Sequence, residues 1–317
     1  MRRWTRAAVV SALGVGAAYF LLRSTEWGTI ASAVSRLTPT RLAVGFALYL
    51  LFVGLKSARF AALLGGVTSR RLMYGILCAQ TFWSNVLPMR AGDVSYVHLL
   101  RSRRQGSGVG GVASLVVAGL LDLWWMLVLA VALGLSLRGS TTNAAVLRSL
   151  TVLAALGVVG IPVVGVLSRR LPARFVDRIG GAPAVGALIR RVMEELRRQT
   201  WSRRLLAGAG LSGLALVCRY GFQLYLLDAM FGGVTWTQGL FALVFAGLAN
   251  LAPIQGVGNV GSIELPWAWA LVLVGVGKAD AITSGFALHG VVLAYALGTG
   301  ALSVALLRTR SRAETGA

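Results

Sequence analysis

The side chains that could do chemistry in this sequence are charged and amide residues within or beside long apolar stretches. Charged side chains at membrane depth are costly, so those found there are usually paired or functional. An arginine can bind a phosphate through two parallel hydrogen bonds, carboxylates can hold that arginine or carry protons, and amides can orient a headgroup. The set predicts a site for a phosphate-bearing ligand, with the primary candidates Arg90, Asp93, Asn85, Asn250, Gln255, Glu264, Arg219 and Asp122.

Three of the basic residues in these stretches have more than one interpretation. Lys56 and Arg59 are secondary candidates, because their long side chains could equally extend to the cytoplasmic membrane interface. Arg219 lies in the middle of an apolar stretch and cannot do so. We expect it to pair with Asp122 or Glu264, or to face a cavity.

Histidine and aromatic residues receive structural interpretations. His98 and His289 could relay protons, but we interpret both as packed residues. The larger aromatic residues are expected at lipid-facing or interfacial positions. They are Tyr96, Trp83, Trp124, Trp125, Trp267 and Trp269.

Two short segments share a pattern that predicts broken helices. In residues 85–92 (NVLPMRAG) and 250–256 (NLAPIQG), an asparagine precedes a proline by three positions, and a long polar residue follows two positions later. Prolines end helices and glycines let the backbone turn, so a helix end inside the membrane would present unpaired N–H or C=O groups to a ligand. Plain turns between helices are the alternative. The predicted tip residues are Pro88, Gly92, Pro253, Gly256, Gly258 and Gly261.

The elements that would position these residues are apolar helices. Hydrophobic residues make up 56% of the 317 residues and charged residues 13%, and the mean hydropathy is +0.75. Stretches of about 20 apolar residues are long enough to cross a bilayer. We therefore predict an all-α, multi-pass membrane protein with one polytopic domain over residues 1–317. Six full spans are predicted at residues 7–22, 42–64, 109–137, 147–168, 205–228 and 284–307.

The shorter apolar pieces predict two re-entrant hairpins. Arginines flank the pair 72–87 and 94–100 on both sides, so this hairpin would enter from the cytoplasm. The pair 238–252 and 265–277 would enter from outside, which places both termini in the cytoplasm. The halves 42–137 and 205–307 then form an inverted repeat, as in many transporters, with substrate contact where the two tips meet.

The charge distribution bears on partners and location. The net charge is +21, from 31 Lys and Arg against 10 Asp and Glu. Basic residues at the cytoplasmic ends of spans account for this excess without nucleic acid, and they predict a location in the cell membrane. The polar segment 169–204 holds ten arginines and is expected to be a connector on the membrane surface, or else a docking site for a lipid-modifying partner enzyme.

At the same residues the chain resembles the transmembrane region of lysylphosphatidylglycerol synthases, a flippase-domain family that also occurs as stand-alone proteins. Residues 87–93 (LPMRAGD) are similar to the family's Leu-Pro-x-Arg-x-Gly-Glu, and residues 258–264 (GNVGSIE) to its Gly-Gly-Leu-Gly-x-x-Glu. Residues 120–122 (LLD) resemble its acidic element. Asp93 replaces the usual Glu, and Tyr96 stands where an Arg is common.

The resemblance implies movement of an anionic or aminoacylated phospholipid, or of a polyprenyl-phosphate-linked sugar, between leaflets. It does not imply synthesis, so we expect a transporter rather than an enzyme, without cofactor or metal. A homo-oligomer is one assembly state left open. Two alternatives stay open. One is a lipid-linked glycosyl or acyl transferase, and the other is a non-transporting scaffold that docks a partner through segment 169–204.

Overall fold

A computed structural model describes residues 27–88, 91–137, 143–167, 203–251 and 257–308. These residues form ten α-helices and a short 3₁₀ helix, Val257–Asn259, and contain no strand. The α-helices are α1 (Trp27–Ser35), α2 (Pro39–Leu63), α3 (Arg70–Val86), α4 (Ala91–Ser102), α5 (Gly108–Ser136), α6 (Ala144–Leu167), α7 (Arg203–Met230), α8 (Trp236–Ala249), α9 (Glu264–Leu273) and α10 (Lys278–Arg308).

Five of these helices are long and apolar enough to cross a membrane: α2, α5, α6, α7 and α10. They correspond to the predicted spans after the first, and the predicted span 7–22 lies outside the described residues. The all-α, multi-pass membrane fold is therefore confirmed. Helix α10 begins at Lys278, six residues before the predicted stretch, because the charged Lys278 and Asp280 occupy its first turn without interrupting it.

Local sequence signals account for the helix starts. Thr38 caps α2 by accepting a hydrogen bond from the Arg41 backbone N–H, and Pro39 occupies the first helical position, where its missing N–H costs nothing. Thr235 and Gln238 form a reciprocal capping box at the start of α8. Both helices therefore start at fixed residues.

Helices α2 and α7 pack against each other along the middle of the protein. Tyr49 of α2 meets Phe222 of α7 edge to face, with ring centroids 5.4 Å apart. Tyr295 of α10 closes this aromatic cluster, with its ring 5.7 Å from that of Tyr49. Contacts of this kind fix the three long helices relative to one another.

Two helical hairpins pack against this pair, the first through α3 against α2 and the second through α8 against α7. In the first, α3 packs against α4 so closely that a Cβ on Gly92 would lie 2.5 Å from the Gln80 carbonyl oxygen. In the second, the Gln238 Nε2 at the start of α8 donates to the Val274 carbonyl after the end of α9, over 2.9 Å. Of the predicted tip residues, Pro88, Gly92, Gly258 and Gly261 are described, whereas Pro253 and Gly256 lie outside the described residues.

The packed helix pairs form two matching sets. The pairs α3–α10, α3–α4, α4–α5, α2–α3 and α1–α10 correspond to α8–α5, α8–α9, α9–α10, α7–α8 and α6–α5. Exchanging α1 with α6, α2 with α7, α3 with α8, α4 with α9 and α5 with α10 converts one set into the other. The central α2–α7 pair is unchanged by this exchange.

The expectation for the aromatic residues is wrong in two cases. Tyr96 is 0% exposed and Trp267 is 2% exposed. Tyr96 contacts Phe60 and forms a 2.9 Å hydrogen bond with the Ser114 hydroxyl, and the Trp267 indole N–H donates to the Ser284 hydroxyl over 3.0 Å. Each polar tip has an internal partner, so neither ring needs the membrane interface.

Candidate functional site

A cavity of about 250 Å³ lies between the two hairpins and the long helices. Its wall includes residues from α2, α3, α4, α5, α7, α8, α9 and α10 and from the 3₁₀ helix. Most of the predicted site residues that the structure describes meet here. Those that line the cavity are Lys56, Arg59, Asn85, Asp93, Asp122, Arg219 and Asn250.

Arg59 and Asp122 form an ion pair across the cavity wall, from α2 to α5. Arg59 is 3% exposed, and the same Nη1 also donates to the buried Ser212 hydroxyl over 2.9 Å. Its Nε has no hydrogen-bond partner among the described residues. A buried guanidinium held in this way cannot reach a membrane interface, so the snorkelling alternative for Arg59 is wrong.

The two other described cations of the cavity have weaker protein partners. The Lys56 ammonium donates to the Thr81 hydroxyl over 3.4 Å. Arg219 has no ion pair with a described carboxylate, and its guanidinium lies 5.9 Å from the ring centroid of its neighbour Tyr220. Of the three expectations for Arg219, the structure therefore supports the third, a position facing a cavity.

The first hairpin contributes a carboxylate and amides. The Gln80 Nε2 donates to Asp93 Oδ1 over 2.8 Å, which orients the Gln80 amide. Gln80 Oε1 is buried without a hydrogen-bond partner among the described residues. The Asn85 Nδ2 donates to the Thr81 carbonyl over 2.7 Å, near the end of α3. The hairpin thus presents both a negative charge and an unused acceptor to the cavity.

The second hairpin reaches across to the first through Asn259. This residue has a φ of 56°, in the left-handed region that asparagine tolerates, between Gly258 at 64° and Gly261 at 80°. Its Nδ2 donates to the Ser84 carbonyl over 3.0 Å, and its Oδ1 is buried without a hydrogen-bond partner among the described residues. The sharp turn between the two arms of this hairpin therefore supplies a direct bond between the two hairpins.

Glu264 lies behind the cavity wall and not on it. It is 1% exposed, and its Oε2 accepts the Gly261 backbone N–H over 2.7 Å. Its Oε1 lies 2.5 Å from His289 Nδ1. His289 does line the cavity, and its Nε2 is buried with no hydrogen-bond partner among the described residues. Glu264 is therefore linked to the cavity through His289, which the sequence analysis interprets as a packed residue.

The predicted site residues and the cavity residues of the structure do not coincide fully. Arg90 and Gln255 lie outside the described residues, so their roles stay predictions. Gln80, Asn259 and His289 are cavity residues that the sequence interpretation did not select. For His289, a polar ring within a long apolar stretch was the available signal. Among the described residues, no group of three or more His, Cys, Asp or Glu side chains could hold a metal ion.

Comparison with protein families gives a match over most of the chain. The family model described as Lysylphosphatidylglycerol synthase TM region matches residues 5–300 of the chain. This match extends over both hairpins and four of the five described spans, and over the fifth, Lys278–Arg308, up to residue 300. No curated protein matches the sequence.

Proposed function

The chain belongs to the family of the lysylphosphatidylglycerol synthase TM region, and from this we propose that it is a flippase-like lipid transporter. Its cargo would be an anionic or aminoacylated phospholipid, or a polyprenyl-phosphate-linked sugar. The headgroup would enter the central cavity while the acyl or prenyl chains stay in the bilayer. The lipid headgroup would thereby be shielded from hydrocarbon during its passage.

The observation that carries this proposal is the charge of the cavity wall. Among the described lining residues, Lys56, Arg59 and Arg219 are basic and Asp93 and Asp122 are acidic. Asp122 already neutralises Arg59. Lys56 and Arg219 are the cations left to bind a phosphate, because neither has a described carboxylate partner within ion-pair distance. Arg90, at the predicted tip of the first hairpin, would add a further phosphate ligand.

The packing of the helices supports an internal repeat, and the distribution of basic residues predicts that its halves are inverted. The correspondence between helix pairs relates α1–α5 to α6–α10 element by element and leaves the central α2–α7 pair in place. In transporters built this way, substrate binds between the repeats and one repeat rocks against the other. We propose that the two hairpins are re-entrant from opposite sides and that alternation of the repeats opens the cavity to each leaflet in turn.

Reconstitution into vesicles tests this function directly. The vesicles would contain phosphatidylcholine and phosphatidylglycerol, with a trace of fluorescent phosphatidylglycerol, and dithionite would bleach the outer leaflet. We expect the protein to expose inner-leaflet fluorophore to bleaching. Arg219→Gln should slow this about tenfold, because it removes a charge-assisted phosphate contact. Fluorophore loss no greater than in protein-free vesicles would contradict the proposal.

A matched variant controls for the change in charge. Arg148 is an exposed arginine on α6, outside the central cavity, so Arg148→Gln should transport at the wild-type rate. Mass spectrometry of the lipids retained by the wild type and by Arg90→Ala would identify the natural headgroup. Transport should also survive removal of divalent cations, whereas metal-dependent turnover of a lipid would favour the transferase alternative.

A further inference from the structure

Glu264 and His289 form a buried dyad, of which His289 lines the cavity and Glu264 does not. Both carboxylate oxygens of Glu264 are occupied, Oε2 by the Gly261 N–H and Oε1 by His289 Nδ1. Because Nδ1 faces a carboxylate, it carries the hydrogen, and Nε2 then holds the lone pair. This Nε2 belongs to a cavity-lining residue and has no partner among the described residues. Nε2 is therefore the ring atom at which the dyad can take up a proton once cavity water reaches this buried position.

Resting on the proposed transport function, we propose that this dyad is a proton-binding site and that the protein moves one proton together with each anionic headgroup. Cavity water supplies the proton, which forms an N–H bond at Nε2 as an O–H bond of hydronium breaks. The imidazolium keeps its Nδ1 hydrogen bond to Glu264. The net charge of the dyad then changes from −1 to 0.

The direction of the coupling follows from electrostatics. The charged groups on the cavity wall around the dyad are Lys56 and Arg59 of α2, Asp93 of α4, Asp122 of α5 and Arg219 of α7. The described lining residues of α3, α8 and α9 carry no charge. An anionic headgroup held by Lys56 and Arg219 is repelled by the unprotonated dyad, and this repulsion disappears on protonation. Headgroup and proton therefore favour each other's binding, which by linkage must be reciprocal.

Proton uptake on binding is the decisive measurement. The full-length protein in detergent would be titrated calorimetrically with dihexanoyl-phosphatidylglycerol in two buffers of different ionisation enthalpy, with dihexanoyl-phosphatidylcholine as the zwitterionic control. We expect proton uptake with the anionic lipid only. Its affinity should be about tenfold higher at about pH 5.5 than at about pH 8, within the usual range of coupling between linked sites.

Two variants should change the affinity for the anionic lipid in opposite directions. His289→Asn keeps a side-chain N–H for Glu264 but removes Nε2, so the dyad stays negative and binding should resemble that of the wild type at high pH. Glu264→Gln removes the charge, so binding should be tight at both pH values. His289→Asn should take up no proton with the lipid because it lacks Nε2. Glu264→Gln should take up none because its buried imidazole has lost the carboxylate that stabilises the protonated form. His98→Gln changes the other histidine, which is exposed on α4, and should match the wild type.

The outcomes separate the two proposals. Binding of phosphatidylglycerol without proton uptake, or equal pH dependence in the wild type and His289→Asn, would overturn the coupling and leave the transport function standing. Absence of anionic-lipid binding at both pH values would overturn both proposals. Because the variants are predicted to differ in sign, a general loss of folding cannot imitate the expected result.

Discussion

The two hairpins carry an acid at equivalent places but surround it with different chemistry. Asp93 lies in the first turn of α4 and Glu264 in the first turn of α9, each being the second helix of its hairpin. Both acids thus occupy the helix end where the backbone dipole favours negative charge. Asp93 lines the cavity and accepts a hydrogen bond from the Gln80 amide, whereas Glu264 lies behind the wall against His289.

Because their partners differ, Asp93 and Glu264 are suited to different roles at the cavity. The Gln80 partner of Asp93 is an amide, which does not itself change its protonation near neutral pH. A carboxylate beside a histidine can share in a change of protonation near neutral pH. Under the proposed coupling, the first hairpin contributes the Asp93 carboxylate to the cavity wall and the second contributes the proton-binding dyad.

The largest expected effect comes from breaking the first hairpin at its tightest contact. An added Cβ at Gly92 would lie 2.5 Å from the Gln80 carbonyl oxygen and 2.6 Å from the Ser84 backbone nitrogen, neither of which can turn away. Gly92→Ala should therefore lower the free energy of unfolding by about 2–3 kcal/mol, as other overpacked sites do, and should abolish transport. Thermal unfolding in detergent measures the first and the vesicle assay the second.

Gly290→Ala is the matched control in the second half of the chain. Nothing lies within 4 Å of a Cβ at this helical position, which is next to His289. Alanine should raise the thermal midpoint slightly through its better helix propensity. Equal midpoints for the Gly92 and Gly290 variants would show that the close packing of α3 against α4 is unimportant.

The sequence predicts the fold better than the partners within the site. Five spans were located because hydropathy accumulates over some 20 residues, so single errors matter little. Lys56, Arg59, Asp122 and Arg219 were found because charges are conspicuous in apolar stretches. The pairing of Arg59 with Asp122, which are 63 residues apart, depends on helix packing and cannot be derived from spacing.

Neutral polar residues were missed for a related physical reason. Gln80 and Asn259 resemble ordinary helix and turn residues in sequence, since an amide within the membrane has no charge to distinguish it. The Gln80 amide donates to Asp93 and the Asn259 amide donates to the Ser84 carbonyl. Both amide oxygens are then left without a hydrogen-bond partner among the described residues, which makes these two side chains notable. Only the three-dimensional arrangement of the hairpins shows this.

A smaller effect should follow from removing the partner of the first acid. Gln80→Leu deletes the hydrogen bond to Asp93 and leaves that carboxylate less well satisfied, which should cost about 1.5–2 kcal/mol in the free energy of unfolding. Transport should slow without a change in its pH dependence, because the second hairpin is untouched. A shift in the pH profile of this variant would contradict the division of tasks between the hairpins.

The smallest effect is expected where the hairpins are joined. Asn259→Ala removes the bond to the Ser84 carbonyl and also places alanine at a φ of 56°, whereas Asn259→Gly removes the bond but accepts that backbone. We expect a loss of about 1–2 kcal/mol in unfolding free energy for alanine and about 1 kcal/mol for glycine. If the bond transmits the state of the second hairpin to the first, both variants should also slow transport to a similar extent. Transport at the wild-type rate in Asn259→Gly would instead mean that the hairpins communicate only through the cavity and its ligand.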